Sequence, residues 1–251
     1  MITLSSDFGS PYPAAMRGVL LDSCTDRLVD ISHTFDRGNV DSAAFWLREI
    51  LPYFPPAIHL VVIDPGVGTD RSVLAVRVGE HAFVGPDNGV LYPVITAFDQ
   101  PWEAFELTTY EAESSTFHGR EVFAPLAAAI ANQGVDRLET IHSLEPASTI
   151  KELTFPEPTI TASSIRATIL AIDDFGNAIT NIDGNVIADQ FGQSVSIAGS
   201  QVAIEQSYAF VEPGEPIVTI GSHGNVELAV NDGRGDRYFS LSTYDEIEIQ
   251  V

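Results

Sequence analysis

The stretch Ile58–Val78 constrains the fold more than any other part of the chain. An apolar run, Ile58–Ile63, leads into Asp-Pro-Gly-Val-Gly at positions 64–68, and a second apolar run, Ser72–Val78, follows Arg71. The proline fixes its own φ, and the two glycines let the backbone approach a ligand closely. Open α/β sheets bind small molecules in the loops at the carboxyl ends of their strands. The stretch therefore predicts a strand, a tight loop that forms the wall of an active site, and a second strand.

The first half of the chain alternates strand-like and helix-like segments. Strands are predicted at Ile2–Ser5, Arg27–Ile31 and Ile58–Ile63, with a β-hairpin joining Ser72–Val78 to His81–Val84 through Gly79 and Glu80. Helices are predicted at Ala14–Ser23, Ser42–Leu51 (capped by Asn39 or Asp41 and ended by Pro52) and Val122–Asn132. The order β-α-β-α-β is typical of a mostly parallel sheet with helices on its faces.

The second half has a different character. Short β-like segments separated by turn signals run from Ile165 to Val251 with little helix between them. This pattern favours a small β-barrel or sandwich. We therefore predict an α/β catalytic domain over residues 1–150, a proline-rich linker over 151–163 and a small β domain over 164–251.

The charge of the chain is unusual for its hydrophobic content. It carries 35 acidic and 12 basic residues, for a formal net charge of −23, and Lys151 is its only lysine. Such a field repels nucleic acids and anionic membranes. Because the acidic residues are dispersed from Asp7 to Glu248 on a chain with 45% hydrophobic residues, they indicate a folded protein adapted to high salt, with an ordinary acidic protein as the alternative.

The sequence also bears on the compartment. No apolar run approaches the roughly 18 residues of a membrane span, and the first residues lack the basic region of a signal peptide. Cys24 is the single cysteine, so an internal disulfide is impossible. We expect a cytoplasmic protein.

Chemically useful side chains occur where predicted strands meet loops. Asp7 follows the first strand, Asp64 and Arg71 flank the central loop, His118 precedes a helix, and an Asp-Asp-Phe-Gly-Asn turn occupies positions 173–177. Functional sites are commonly built at such junctions. Each residue also has a structural interpretation, as a loop cap, a surface charge or a turn former.

Several motifs that would narrow the chemistry are missing. The glycines around Val67 lack the third glycine and the helix start of a phosphate-binding or dinucleotide-binding loop, and no nucleophile motif is present. A metal site formed by His118, Asp7 and Asp64 is conceivable, although no metal-ligand spacing such as HExxH supports it.

Seven segments, in order, resemble the S-adenosylmethionine hydroxide adenosyltransferase family, which is related to the fluorinase and chlorinase enzymes. The segments are SSDFGSPYPAAMRGV from Ser5, VDISHTFDRGNVDSAAFWL from Val29, IDPGVGTDRSVLAV from Ile63, FVGPDNGVL from Phe83, TFHGREVFAPLAA from Thr116, IDDFGNAITNI from Ile172 and SHGNVELAVN from Ser222. They span nearly the whole chain, which makes the resemblance specific.

The resemblance implies a fold, an assembly and a reaction. The fold is an N-terminal α/β domain followed by a C-terminal β-barrel. The assembly is a homotrimer that binds S-adenosylmethionine between the N-terminal domain of one subunit and the C-terminal domain of the next. The reaction is hydrolysis of S-adenosylmethionine to adenosine and L-methionine, with no cofactor and no metal.

The resemblance also assigns roles to residues of this sequence. The catalytic residues fall on Asp64, Arg71 and His118, and Asp7 matches the residue that holds the ribose hydroxyls. Phe8 offers an aromatic surface to the adenine or the sulfonium. Positions around the methionine end and the adenine fall on Asp173, Phe175 and Asn177, and Ser222 and Glu227 match positions near the methionine amino-acid group.

Three other functions stay open at this point. A halogenase of the same fold would use chloride as the nucleophile, although the halogenating relatives lack the Asp and His found here at positions 64 and 118. A non-catalytic sensor would bind adenosine or S-adenosylmethionine without turnover. A metal-dependent hydrolase would use the carboxylates with His118.

The acidic composition leads to a prediction about salt. We expect the melting temperature to rise between 0.1 M and 2 M KCl, because a Debye length of roughly 3 Å at 1 M removes most of the repulsion among surface carboxylates. Differential scanning fluorimetry over this range measures the effect. An unchanged melting temperature contradicts the adaptation to high salt.

Overall fold

The computed structural model describes residues 1–110 and 116–250. The chain forms two compact units, Met1–Thr154 and Phe155–Val251. Each unit has its own hydrophobic core.

The first unit is built on a seven-stranded sheet with helices. The strands are β1 (Ile2–Ser6), β2 (Leu28–Ser32), β3 (Ile58–Val62), β4 (Val73–Val78), β5 (His81–Pro86), β6 (Trp102–Leu107) and β7 (Leu144–Pro146). The helices are α1 (Tyr12–Ser23), α2 (Val40–Ile50), α3 (Tyr92–Ala97) and α4 (Ala124–Gln133). The strand order is β2-β1-β3-β5-β4-β6-β7. This architecture confirms the predicted α/β fold.

Pairing in this sheet changes direction at β5. The pairs β1–β2, β1–β3 and β3–β5 are parallel, whereas β4–β5, β4–β6 and β6–β7 are antiparallel. Every residue of β1 and β3 is buried, as expected for central strands covered on both faces. The carboxyl ends of the parallel strands therefore meet at one edge of the sheet.

Local signals set most element boundaries in this unit. The side chain of Asn39 accepts a hydrogen bond from the backbone N–H of Ser42 and so caps α2, one of the two caps that the sequence allowed. The turn between β4 and β5 contains Gly79 with φ of +54°, which confirms the predicted hairpin. Residues of α1 and α4 pack against β1 and β3 to form the core.

Three elements of the first unit, α3, β6 and β7, lie outside the predicted strands and helices, and two predicted segments differ in detail. The helix expected over Val122–Asn132 begins earlier, as a π-helical turn at Gly119–Phe123 that leads into α4. The segment predicted as a linker contains a short strand, β8 (Thr159–Ile160), which pairs with the next strand of the chain.

The second unit is a β-barrel, which resolves the choice between barrel and sandwich. Its other strands are β9 (Ser164–Ile172), β10 (Ala178–Asp183), β11 (Ser194–Ile197), β12 (Ser200–Ile204), β13 (Pro216–Ile220), β14 (Asn225–Val230) and β15 (Glu246–Gln250). Neighbours pair in the order β10-β14-β13-β12-β11-β15-β9, and a further β9–β10 pairing closes the ring. A short helix, α5 (Gly235–Phe239), was not predicted, and Val251 of the last predicted strand lies outside the described residues.

The described residues contain no helix that is both long and apolar enough to span a bilayer.

A buried pair of histidines lies within the first sheet. His59 Nδ1 is 2.8 Å from Thr3 Oγ1, and His59 Nε2 is 3.0 Å from His81 Nδ1. Phe83 and Phe98 contact the two imidazole rings. Burial, aided by the neighbouring His81, lowers the pKa of His59 to about 3, so its imidazole is neutral in the folded protein.

This pair makes stability depend on pH. Because the pKa of His59 is lower in the folded state, the unfolded chain binds more protons below pH ~6.5, and the free energy of unfolding falls with decreasing pH until about pH 3. The contribution of a single such group is at most about 1.4 kcal/mol per pH unit. We expect urea denaturation between pH 4.5 and 6.5 to give a shallower pH dependence for His59→Gln than for the wild type.

The exposed His142 provides the control for this prediction. His142→Gln removes a histidine from the same unit without touching the buried pair, so it should keep the part of the pH dependence that the buried pair causes. Equal slopes for the wild type and His59→Gln would show that the buried pair does not govern acid stability.

Candidate active site

A cavity of about 680 Å³ opens in the first unit beyond the carboxyl ends of β1 and β3. Asp7 follows β1, and Asp64 follows β3 after one intervening residue. The cavity is lined by Asp7, Phe8, Tyr12, Arg37, Gly38, Val62, Asp64, Pro65, Val67, Thr116, Phe117, His118 and Gly119. Its position is the one that parallel sheets favour for ligands, and its size suits a small molecule.

Three side chains that are distant in sequence form one hydrogen-bonded group at this cavity. Arg71 Nε donates to Asp64 Oδ1 over 2.9 Å, and Arg71 Nη2 donates to Asp64 Oδ2. The same Nη2 lies 3.0 Å from His118 Nδ1. The side chains of Asp64 and Arg71 are 6% and 9% exposed, so little solvent screens their charges. We refer to Asp64, Arg71 and His118 as the triad.

The contact with Arg71 fixes the tautomer of His118. A guanidinium only donates hydrogen bonds, so Nδ1 of His118 accepts and the neutral imidazole carries its proton on Nε2. Burial lowers the pKa of His118 and the charge of Arg71 lowers it further, while Asp64 acts in the opposite direction. Near neutral pH the ring is therefore uncharged and has an Nε2–H donor to offer.

The loop around Asp64 folds tightly because of its glycines and of two supporting hydrogen bonds. A Cβ on Gly66 would make a tight contact of 3.2 Å with Thr69 Oγ1 and an ordinary contact of 3.5 Å with Arg71 Cγ, so the absence of a side chain lets the loop fold closely over Thr69. Thr69 Oγ1 donates to the Gly66 carbonyl over 2.7 Å, and the amide of Asn88 donates to the Ile63 carbonyl over 2.8 Å. These contacts hold the end of β3 and the loop that carries Asp64.

His118 is positioned by close packing at the start of the π-helical turn. A Cβ on the next residue, Gly119, would lie 2.9 Å from Met16 Sδ and 3.4 Å from Val62 Cγ1. The glycine thus lets the turn approach α1 and β3, which brings His118 to the cavity. The Phe123 ring lies beneath the triad, and its centre is 4.9 Å from the guanidinium carbon of Arg71.

An aromatic cluster and a carboxylate form another part of the cavity wall. The rings of Phe8, Tyr12 and Phe117 contact one another edge to face, with centroids 5.5 to 6.3 Å apart. Asp7 Oδ2 accepts a hydrogen bond of 2.7 Å from the backbone N–H of Gly38. The cavity therefore offers π faces and carboxylate oxygens, a combination that suits a ligand with a cationic group and hydroxyls.

A second cavity, of about 780 Å³, lies in the β-barrel unit. Its lining includes Asp173, Phe175, Asn177, Ser222 and Glu227.

Hydrogen bonds within the turn at positions 173–177 orient its side chains. Asp173 accepts from the backbone N–H of Asn177 over 2.8 Å and from its side-chain amide over 2.9 Å. Gly176 adopts φ of +90°, and Phe175 is 78% exposed, so its ring is available to a ligand.

A chain of hydrogen bonds continues from this turn into the barrel. The amide of Asn177 donates to the Tyr208 hydroxyl over 3.2 Å, and that hydroxyl donates to Glu227 Oε2 over 2.9 Å. Glu227 Oε1 lies 3.0 Å from His223 Nε2. Burial and the adjacent Glu227 carboxylate raise the pKa of Tyr208, so the phenol keeps its proton.

The structure groups the sequence-predicted site residues in two places. Asp7, Phe8, Asp64 and His118 line the cavity of the first unit, with Arg71 bonded to two of them. The barrel residues named above line the second cavity.

Several side chains that line the two cavities were not predicted from the sequence. These residues are Tyr12, Arg37, Phe117, Tyr208 and Arg234. Arg37 and Phe117 lie inside segments that carry the family resemblance, close in sequence to predicted site residues, and this position could have identified them. Tyr208 lies outside those segments, so no pattern pointed to it.

Among residues 1–110 and 116–250, no cluster of three or more His, Cys, Asp or Glu side chains is arranged to hold a metal ion.

Comparison with family models gives two matches that together cover most of the chain. The SAM hydroxide adenosyltransferase N-terminal domain matches residues 2–141, and the SAM hydroxide adenosyltransferase C-terminal domain matches residues 167–248.

Similar proteins and structures cover the chain nearly end to end. The (R)-S-adenosyl-L-methionine hydrolase of Salinispora tropica is 34% identical over 99% of this chain and 97% of its own length. The protein of the same name from Thermus thermophilus is 35% identical over 91% of both chains. The crystal structure of an uncharacterized conserved protein from Thermotoga maritima superposes with a TM-score of 0.86, at 29% identity over 99% of both chains.

Proposed function

The chain belongs to the SAM hydroxide adenosyltransferase family, and from that premise we propose that it hydrolyses S-adenosyl-L-methionine to adenosine and L-methionine. The observation that supports this function best is the triad of Asp64, Arg71 and His118 at the wall of a cavity.

The reaction requires a nucleophile more than it requires an acid. The sulfonium of the substrate is already a good leaving group, so its departure needs no proton. Attack must come from an oxygen in line behind the ribose 5′ carbon. Positioning that oxygen can supply several kcal/mol of the barrier, at most roughly 7–11.

We assign complementary roles to the triad around one water molecule. The Asp64 carboxylate accepts a hydrogen bond from the water and takes up its proton as attack proceeds. The Nε2–H of His118 donates to the attacking oxygen and so stabilises its developing hydroxide character. Arg71 positions both groups through its Nε and Nη2 hydrogen bonds.

The same arrangement disfavours a halide as the nucleophile. A chloride ion at the position of the water would lie beside the carboxylate of Asp64, and that repulsion is costly where solvent screens little. Water can donate to this carboxylate, whereas chloride cannot.

The remaining predicted residues would bind the rest of the substrate. Asp7 would accept hydrogen bonds from the ribose hydroxyls, and the aromatic rings of Phe8 and Phe175 would contact the adenine or the sulfonium. Asp173, Asn177, Ser222 and Glu227 would contact the adenine and the methionine group.

We further propose a cytoplasmic homotrimer that needs no cofactor. In this assembly the first unit of one subunit and the barrel of the next would bind one substrate molecule. The proposal rests on family membership, and the unpaired Cys24 is consistent with a reducing compartment.

Turnover in labelled water tests the function directly. We expect incubation with S-adenosylmethionine in ¹⁸O-water and 2 M KCl to yield methionine and adenosine with the heavy oxygen at the 5′ position. Mass spectrometry identifies the product and the nucleophile together. Formation of 5′-chloro-5′-deoxyadenosine would show a halogenase, and tight binding without turnover would show a sensor.

The role of His118 can be separated from substrate binding. His118→Ala should lower kcat by about 10²–10³-fold with little change in KM, because it removes a donor that acts on the attacking oxygen. In the wild type, kcat should fall on the acid side of the ordinary imidazole pKa of 6.5, because the pKa of His118 is lowered and its protonation removes the acceptor for Arg71.

His118→Gln is the matched variant for this experiment. Glutamine can present an acceptor to Arg71 and a donor to the water, but it cannot become charged. It should retain more activity than His118→Ala and lose the part of the acid-side decrease that His118 causes. Equal losses in kcat and in substrate affinity for His118→Ala would argue against a role in water activation.

A further inference from the structure

We propose that Arg37 binds the carboxylate of the substrate's methionine group and thereby selects substrates with an intact amino-acid end. This inference rests on the proposed function, since it assumes S-adenosylmethionine as the substrate. It adds a specificity-determining residue outside the triad.

Backbone contacts place Arg37 at the cavity. Its neighbour Gly38 donates its N–H to Asp7 Oδ2 over 2.7 Å. A Cβ on Gly38 would lie 3.7 Å from Cβ of Pro65, the residue after Asp64. Arg37 itself lines the cavity and is exposed. The turn that carries it therefore lies against both carboxylate-bearing loops of the site.

The guanidinium of Arg37 is available to a ligand. Within the part of the chain that the structure describes, Arg37 has no hydrogen-bond, ion-pair or ring partner. The other guanidinium at this site, on Arg71, already bonds Asp64 and His118. Among the described residues, Arg27 and Arg166 likewise have no side-chain hydrogen bond or ion pair, but neither lines the cavity, whereas Arg37 does.

The charges of the proposed substrate explain what such a cation would bind. S-adenosylmethionine carries a sulfonium, an ammonium and one carboxylate. The two positive groups suit cavities lined by carboxylates such as Asp7, Asp173 and Glu227. The carboxylate is repelled by the same residues, and a cation beside it would offset that repulsion.

Among the described residues that line the barrel cavity, the arginine is already engaged. Arg234 lines that cavity, but its Nε and Nη2 donate to both carboxylate oxygens of Asp236, over 3.0 and 2.8 Å. Its Nη1 donates to the Asp174 carbonyl over 2.9 Å. An arginine can bind a carboxylate through two parallel N–H···O bonds, and Arg37 retains that capacity.

A comparison of two substrates tests the assignment. The probes are S-adenosylmethionine and its decarboxylated analogue, S-adenosyl-3-(methylthio)propylamine, which keeps the sulfonium, the ribose and the amine. For Arg37→Gln we expect kcat/KM with S-adenosylmethionine to fall about 10- to 100-fold, mainly through KM. With the decarboxylated analogue, the same variant should match the wild type. Arg37→Lys should recover part of the loss, because it keeps the charge without the bidentate geometry.

The controls separate this inference from other effects. Arg27→Gln removes the same charge from an exposed arginine of the same unit that does not line the cavity, so it reports the effect of net charge alone. Equal losses on both substrates, or no loss on either, would overturn the role of Arg37. If the wild type turns over neither substrate, the proposed function itself fails.

Discussion

The hydrogen bonds of the Arg71 guanidinium hold the candidate site together. Arg71 Nε and Nη2 donate to the two carboxylate oxygens of Asp64, and the same Nη2 donates to Nδ1 of His118. A largely buried ion pair gains little net stability over an apolar pair, but losing one partner leaves a costly uncompensated charge. The Phe123 ring beneath the guanidinium offsets part of its lost hydration. The contact therefore determines the arrangement of the site: it fixes the direction of Asp64 and the tautomer of His118.

The charge of the whole protein suits the substrate that the family acts on. A net charge of −23 attracts cations over long distances at low ionic strength. At molar salt this attraction is screened within roughly 3 Å, so selection must rely on direct contacts inside the cavities. Both cavities provide carboxylates for positive groups. In such surroundings an unpaired arginine that lines a cavity would contribute more to specificity than it would in a protein of balanced charge.

The sequence predicted the parts of the fold that depend on local patterns. The alternation of strands and helices, a helix cap at Asn39 or Asp41 and the hairpin at Gly79 all come from residues close in sequence, and the structure confirms them with Asn39 as the cap. The π-helical turn at Gly119–Phe123 was not predictable in this way, because it depends on packing against Met16 and Val62. The triad could not be predicted from local patterns either, because Arg71 and His118, which bond each other, are 47 residues apart in the sequence. The resemblance to the family predicted that these three residues act together, whereas local sequence patterns did not.

Two histidines of the first unit show why a shifted pKa does not by itself identify a site. Burial is the main cause of the lowered pKa for both His59 and His118. His59 is completely buried, and its two nitrogens are used by Thr3 and His81, so it has no atom to offer a ligand. Within the part of the chain that the structure describes, His118 bonds Arg71 through Nδ1, its Nε2 has no partner, and the residue lines a cavity. A neutral imidazole of this kind has an Nε2–H that can donate to a bound water. The distinction between His59 and His118 therefore lies in which hydrogen-bonding atoms remain available.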